Sequence, residues 1–159
     1  MATITQKFNP NNNVGSTPWG NTRGLKYTLE TNAAGAAIGS DSTAAIGLGD
    51  KVRIGVIPAG TSLLDSLAIL SVAMTAAVTG KIGFEYVDGV DVTAVPQDDD
   101  YFLAAGQDLA TAARLRNATT NAAITLPKDA WLILTTAGAA NAKASKLDFI
   151  LFGASEGVA

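Results

Sequence analysis

The sequence predicts an all-β domain, an antiparallel sandwich or barrel, preceded by an extended N-terminal arm. Three observations carry that expectation. Apolar residues recur at every second position in segment after segment, which is the period of a half-buried strand. Turn signals separate these segments at short intervals, the spacing of an antiparallel sandwich or barrel. All five prolines (10, 18, 58, 96 and 127) fall in loops or at strand ends, where a missing backbone donor is tolerated.

The first 24 residues, "MATITQKFNPNNNVGSTPWGNTRG", stand apart. They are rich in Asn, Gly, Thr and Pro and follow neither the helical nor the strand period. Within that polar setting Ile4, Phe8 and Trp19 are apolar anchors, and Trp19 and Arg23 are of residue types enriched at binding hot spots. The segment therefore divides from the sandwich: residues 1–24 as an arm that orders against a neighbouring subunit, residues 25–159 as the β-sandwich domain. An ordinary disordered terminus is the plainer alternative.

Strands begin at "LKYTLET" (25–31), where Leu25, Tyr27 and Leu29 alternate with Lys26, Thr28 and Glu30. The run "NAAGAAIGSDSTAAIGLGD" is too rich in small residues and glycine to assign an element. "KVRIGVI" alternates again, with Val52, Ile54 and Val56 opposite Lys51, Arg53 and Gly55. Pro58-Ala59-Gly60 closes that strand, since proline presets its own φ and glycine permits a positive one. The next stretch, 62–78, carries two patterns. Leu63, Leu67, Leu70 and Met74 fit a helical face, and Ser62 with Asp65 imitates a capping box. Leu64, Ala68, Leu70 and Val72 instead alternate with Asp65 and Ser71, and the neighbours on both sides read as strands. A strand is preferred.

"KIGFEYV" gives the clearest period of two: Ile82, Phe84 and Tyr86 against Lys81, Gly83 and Glu85, with Asp88-Gly89 as a turn. "QDDDY" after Pro96 reads as a solvated loop, and "YFLAA" as a short apolar strand. Further strands are expected at "ARLRN", "AITLP", "AWLILTT" and "KLDFILFG". The last is partly apolar on both faces, so it belongs in the middle of a sheet or beneath a partner.

Composition narrows the chemistry. At 159 residues the chain is most simply one domain, long enough to bury a core without crosslinks. It has no Cys and no His, which removes disulfides, thiolate metal sites and the commonest general base. Seven of the fourteen acids lie between Glu85 and Asp108 with no Lys or Arg among them. Oxygen-only clusters of this kind can hold Ca²⁺, but the spacing of a calcium loop is missing and no metal is assigned. Gly47-Leu48-Gly49 runs into a strand and not a helix, so it is no dinucleotide fingerprint. No catalytic residue and no cofactor are predicted.

The net charge of −3 gives no electrostatic case for nucleic acid. "MATITQK" lacks the apolar region of a secretory signal, and the run at 67–78 is too short to span a bilayer. Neither export nor a membrane is expected. Charged residues make up only 16% of the chain, below the usual quarter, which suits a surface covered by partners.

The stretches "KVRIGVIPAGTSLLDSLAIL", "GKIGFEYVDG" and "AWLILTTAGAANAKASKLDFILFG" resemble the strand series of decoration (cement) proteins on tailed-bacteriophage heads. The resemblance covers roughly residues 50–152 and rests on strands and turns. It implies a single antiparallel, jelly-roll-like β-sandwich, and a non-enzymatic structural protein of the virion that binds the outside of the expanded capsid lattice and stabilises it. The implied partners are the major capsid protein and other copies of the chain, with a homodimer favoured and a trimer possible. The protein would be made in the host bacterial cytoplasm and end on the outer capsid surface. Arms in this group lie across capsid subunits, which would make Phe8, Trp19 and Arg23 the capsid contacts. A head-fibre or tail-fibre virion domain, or a carbohydrate-binding β-sandwich, are the alternatives.

Overall fold

The computed structural model describes residues 1–6, 22–117 and 119–155. These form ten strands: β1 (Thr3–Thr5), β2 (Thr22–Thr31), β3 (Lys51–Ile57), β4 (Thr61–Val72), β5 (Thr79–Tyr86), β6 (Asp98–Asp108), β7 (Ala113–Arg116), β8 (Ile124–Thr125), β9 (Ala130–Ala137) and β10 (Ser145–Ser155). One sheet has the order β1-β3-β9-β5-β6, and the other the order β2-β10-β4-β7 with β8 also on β4. All pairings are antiparallel except that of β1 with β3. From β2 to β5 each successive strand changes sheet, β5 and β6 form a hairpin pair within one sheet, and β9 to β10 crosses again, so the two sheets pack as a sandwich. The all-β expectation holds. No helix is present among the described residues, so none is long and apolar enough to cross a membrane.

The ambiguous stretch resolves as strand over Thr61–Val72. Ser66, Ala68 and Leu70 are buried while Leu67 and Ile69 face outward, a period of two that a helix would scramble. The Pro58-Ala59-Gly60 corner carries the chain from one sheet to the other. Gly60 takes a φ of 71°, and its N–H donates to the Leu126 carbonyl at 2.8 Å. β10 lies between β2 and β4, the interior position its two apolar faces called for.

Between the sheets the core contains a run of edge-to-face rings. Phe84 meets Tyr101 at 5.6 Å, Tyr101 meets Phe102 at 4.9 Å, and Phe102 reaches Phe149 of the opposite sheet at 5.1 Å. Each such pair adds about 0.5–1.5 kcal/mol beyond burial alone. At one end, Asn141 is buried and joins three loops. Its Oδ1 accepts from the Thr75 backbone at 3.1 Å, its Nδ2 donates to Thr31 Oγ1 at 3.1 Å, and its own N–H donates to the Ile46 carbonyl at 2.8 Å.

Two sequence expectations need restating. "QDDDY" is no loop: Asp98–Asp100 open β6, an edge strand whose pairing with β5 shifts register twice. The second point is the segment 1–24. Of it, residues 1–6 and 22–24 are described, and both parts join the sheets. Ile4 is buried and pairs with Val52, and Thr22–Gly24 begin β2. Residues 7–21 lie outside the described residues.

Candidate interaction surface

The outer face of the first sheet gathers the chemistry. Register places Val56, Trp131 and Glu85 in one row across β3, β9 and β5, and Arg53, Ile133 and Gly83 in the next. Alternation dictates the outward set: Leu132 and Leu134 enter the core, so Trp131, Ile133 and Thr135 face away from it. An outward isoleucine on a central strand should be wet. Ile133 is nevertheless fully buried.

Glu85 accounts for this. Its Oε2 accepts from Lys51 Nζ at 2.6 Å and its Oε1 from Arg53 Nε at 2.7 Å. The pairs run from β5 to β3 over the intervening β9 and roof Ile133. Arg53 also lies 5.5 Å from the centre of the Trp131 ring, a cation–π contact of about 0.5–1 kcal/mol at such a site. Burial by itself would raise the Glu85 carboxyl. The two cationic hydrogen bonds outweigh it and hold the group below its ordinary value. The result is a braced, half-buried Trp with an Arg on it and little rotamer freedom left to lose on binding, the make-up of a contact hot spot.

Beside this row, Asp98 and Asp99 pass directly over Gly83. They wall a cleft of about 260 Å³ with Lys51, Glu85 and Gln97. The three carboxylates of Asp98, Asp99 and Asp100 bring oxygens within 4.8 Å of one another, and Lys81 pairs with Asp99 at 2.7 Å. Hydrogen bonding to Asp98, then burial, then the neighbouring charges push the Asp100 carboxyl above its usual range. Glu85 and Asp88 are separately engaged, the latter by Lys128 at 2.7 Å.

The second sheet has an outer face of different character. Leu67 and Ile69 of β4 stand beside Ile150 and Phe152 of β10. Ion pairs Lys26–Asp148, Lys146–Glu30 and Arg116–Asp65 border this stripe.

The comparisons with known proteins bear on the whole chain. No family model and no curated protein matches it. Solved structures do. A chain in the capsid of Ralstonia phage GP4 is similar over 99% of both chains, with a TM-score of 0.63 and 14% identity. The two share a fold. A chain in the capsid asymmetric unit of cyanophage Pam1 is similar over 88% of this chain and 89% of that one, with a TM-score of 0.54 and 14% identity.

Of the residues singled out in the sequence, Phe8 and Trp19 fall outside the described residues. Arg23 sits in β2, and its Nε is buried with no hydrogen-bond partner among the described residues. Its charge opposes the rise that burial imposes on the Tyr27 phenol. Sequence reasoning passed over Trp131. Reading the phase of "AWLILTT" would have found it, since Leu132 and Leu134 claim the core and put the tryptophan outside.

Proposed function

We propose that the chain is a structural protein of a phage virion that binds the outside of the head lattice and stabilises it, a decoration or cement protein. One observation carries this reading: its sandwich matches, from end to end, a chain in a phage capsid. The surface supports it. A braced Trp131–Arg53–Glu85 row and an apolar stripe on the opposite sheet give the sandwich two faces suited to partners, and binding needs no reactive group. Copies bound to the assembled lattice and not to free subunits would stabilise it by mass action, with many weak contacts acting together.

In this reading the major capsid protein is the main partner, and the chain associates with itself as a dimer or trimer. It is made in the bacterial cytoplasm and ends on the outer capsid surface. Phe8, Trp19 and Arg23 contribute arm contacts.

The test is addition of purified protein to emptied, expanded capsids that lack it. Saturable binding, and capsids that withstand more heat or pressure once decorated, are expected. Trp131→Ala should weaken that binding at least tenfold, the usual effect of losing a hot-spot aromatic. Protein that ignores capsids but joins purified fibres would instead favour a head-fibre or tail-fibre domain. Retention on immobilised glycans alone would favour a carbohydrate-binding sandwich.

A further inference from the structure

Behind the start of β6 lies a second cleft, of about 300 Å³. Val95, Pro96 and Ile124 supply apolar walls, and Gln97, Asp98 and Asn121 supply polar groups. What these polar groups have left to offer decides the ligand.

Asn121 Nδ2 donates to Asp98 Oδ2 and to the Tyr101 carbonyl, both at 3.2 Å, which leaves Asn121 Oδ1 as a spare acceptor. Asp98 Oδ1 accepts from the Asp100 N–H at 3.0 Å, and the carboxylate keeps further lone pairs. The Tyr101 hydroxyl is already committed to the Ala122 carbonyl at 2.8 Å. Gln97 Oε1 accepts from the Tyr86 N–H at 2.8 Å, so its Nε2 is the donor that remains on these side chains. Spare acceptors outnumber spare donors, and a negative charge is among them. The nearby lysine goes to the neighbouring acid, Lys81 to Asp99 at 2.7 Å, and among the described residues no cation pairs with Asp98.

We infer that this cleft is a binding site for a lysine or arginine side chain presented by another protein chain. Such a side chain carries donors and no acceptors, and its charge complements Asp98. Its methylene stem suits the walls of Val95, Pro96 and Ile124, as long cationic side chains lie along apolar surface with the charge at a polar end. Asp100 also hydrogen-bonds Asp98, and that bond, then burial, then the charges of Asp98 and Asp99 hold its carboxyl above the usual range. A sugar fits less well. It would bring acceptors as well as donors, and the one ring at the cleft, Tyr101, is buried edge-on against Phe84 and Phe102 and cannot offer a stacking face.

The inference stands apart from the capsid reading, since a cleft that binds the cation in a chain that ignores capsids would leave it intact. The test is titration of the full ¹⁵N-labelled chain with N-acetyl-arginine amide and N-acetyl-lysine amide, following the side-chain amide signals of Gln97 and Asn121 by NMR. Saturable shifts are expected with both. N-acetyl-glutamine amide and methyl glucoside should give none. Asp98→Asn, nearly the same shape, should weaken binding about tenfold or more, the worth of one charge-assisted hydrogen bond. Added salt should weaken the wild-type interaction as well, because the site is open to solvent. No shift at the solubility limit of the cationic probes, equal shifts with the neutral ones, or binding indifferent to salt would each overturn the assignment.

Discussion

The carbonyl oxygen of Asp98 lies 2.1 Å from where a Cβ on Gly83 would stand. Backbone atoms of Asp99 and Asp100 lie at 2.4 and 2.7 Å from the same point. This approach lets β6 fold its acidic start over the face of β5 and creates one wall of each neighbouring cleft. Gly83→Ala should therefore be costly for a surface-facing position. The obstruction is backbone, which cannot swing aside as a side chain would, so a loss of about 3 kcal/mol is expected. Urea unfolding monitored by circular dichroism measures it. A loss below about 0.5 kcal/mol, the level of an ordinary surface substitution, would mean that β6 does not press on Gly83.

Glu85 should make the protein acid-sensitive. Its carboxyl is held below the ordinary value in the folded state by Lys51 and Arg53, despite burial. An acid depressed in this way adds stability that is complete above its unfolded value, 4.5, and disappears as pH falls through the folded one. The difference in unfolding free energy between wild type and Glu85→Gln should then be constant near neutrality. It should shrink from about pH 4.5 downward, where the glutamate itself becomes neutral. A difference that stayed flat into strong acid would refute the coupling.

Asp100 has the opposite sign. Its carboxyl is raised because it hydrogen-bonds Asp98 in a partly buried setting among like charges. Ionising it in the folded state is costlier than in the unfolded chain, so its charge opposes folding at neutral pH. That penalty vanishes once pH falls below the unfolded value, 3.8, where the group is protonated in both states. Asp100→Asn keeps a donor toward Asp98 and removes the charge. A rise in melting temperature at pH 7 that fades near pH 3.5 is expected, and a fall at pH 7 would show that the charge is needed.

Much of the sandwich could be read from alternation, because strands such as β5 and β10 pack one face on the core. In β3 the alternation expected of Val52, Ile54 and Val56 breaks at a register shift between Arg53 and Gly55, which turns Val56 outward into the row of Trp131 and puts Ile57 inside. The Pro58-Ala59-Gly60 corner was legible for the same local reason. Other features were not. The acids at 98–100 belong to a strand whose register slips twice against β5, and such slips blur the period on which strand reading relies. The roof over Ile133 joins residues 32 and 34 positions apart in sequence. Only sheet order brings Lys51, Arg53 and Glu85 around one strand, and sheet order is not written in local periodicity. Within 1–24, Ile4 stood out as an apolar anchor, but a window lacking either period gave no sign that it would lie in a strand on this domain's own core, since three residues of strand are too few to show a pattern.

That short strand bears on any test of the arm. Ile4 is 2% exposed and pairs with Val52, the Ala2 N–H donates to Asp50 Oδ1 at 2.7 Å, and the Thr5 N–H donates to Asp41 Oδ1 at 2.9 Å. Removing residues 1–24 outright would take away this strand, its bonds to Asp41 and Asp50, and the start of β2 together. A loss of binding after that deletion would say nothing specific about capsid contacts. Point substitutions separate the roles. Ile4→Ala leaves a cavity against the core and should cost about 2–4 kcal/mol, as truncation of a buried isoleucine does. Trp19→Ala should leave the unfolding midpoint within about 0.5 kcal/mol of wild type and weaken binding to expanded capsids at least tenfold, as loss of an interface anchor does. Unfolding curves and capsid co-sedimentation, run on both variants, give the answer. A Trp19→Ala protein that bound at full strength would remove Trp19 from the contact, and one that unfolded as readily as Ile4→Ala would assign the tryptophan to the core.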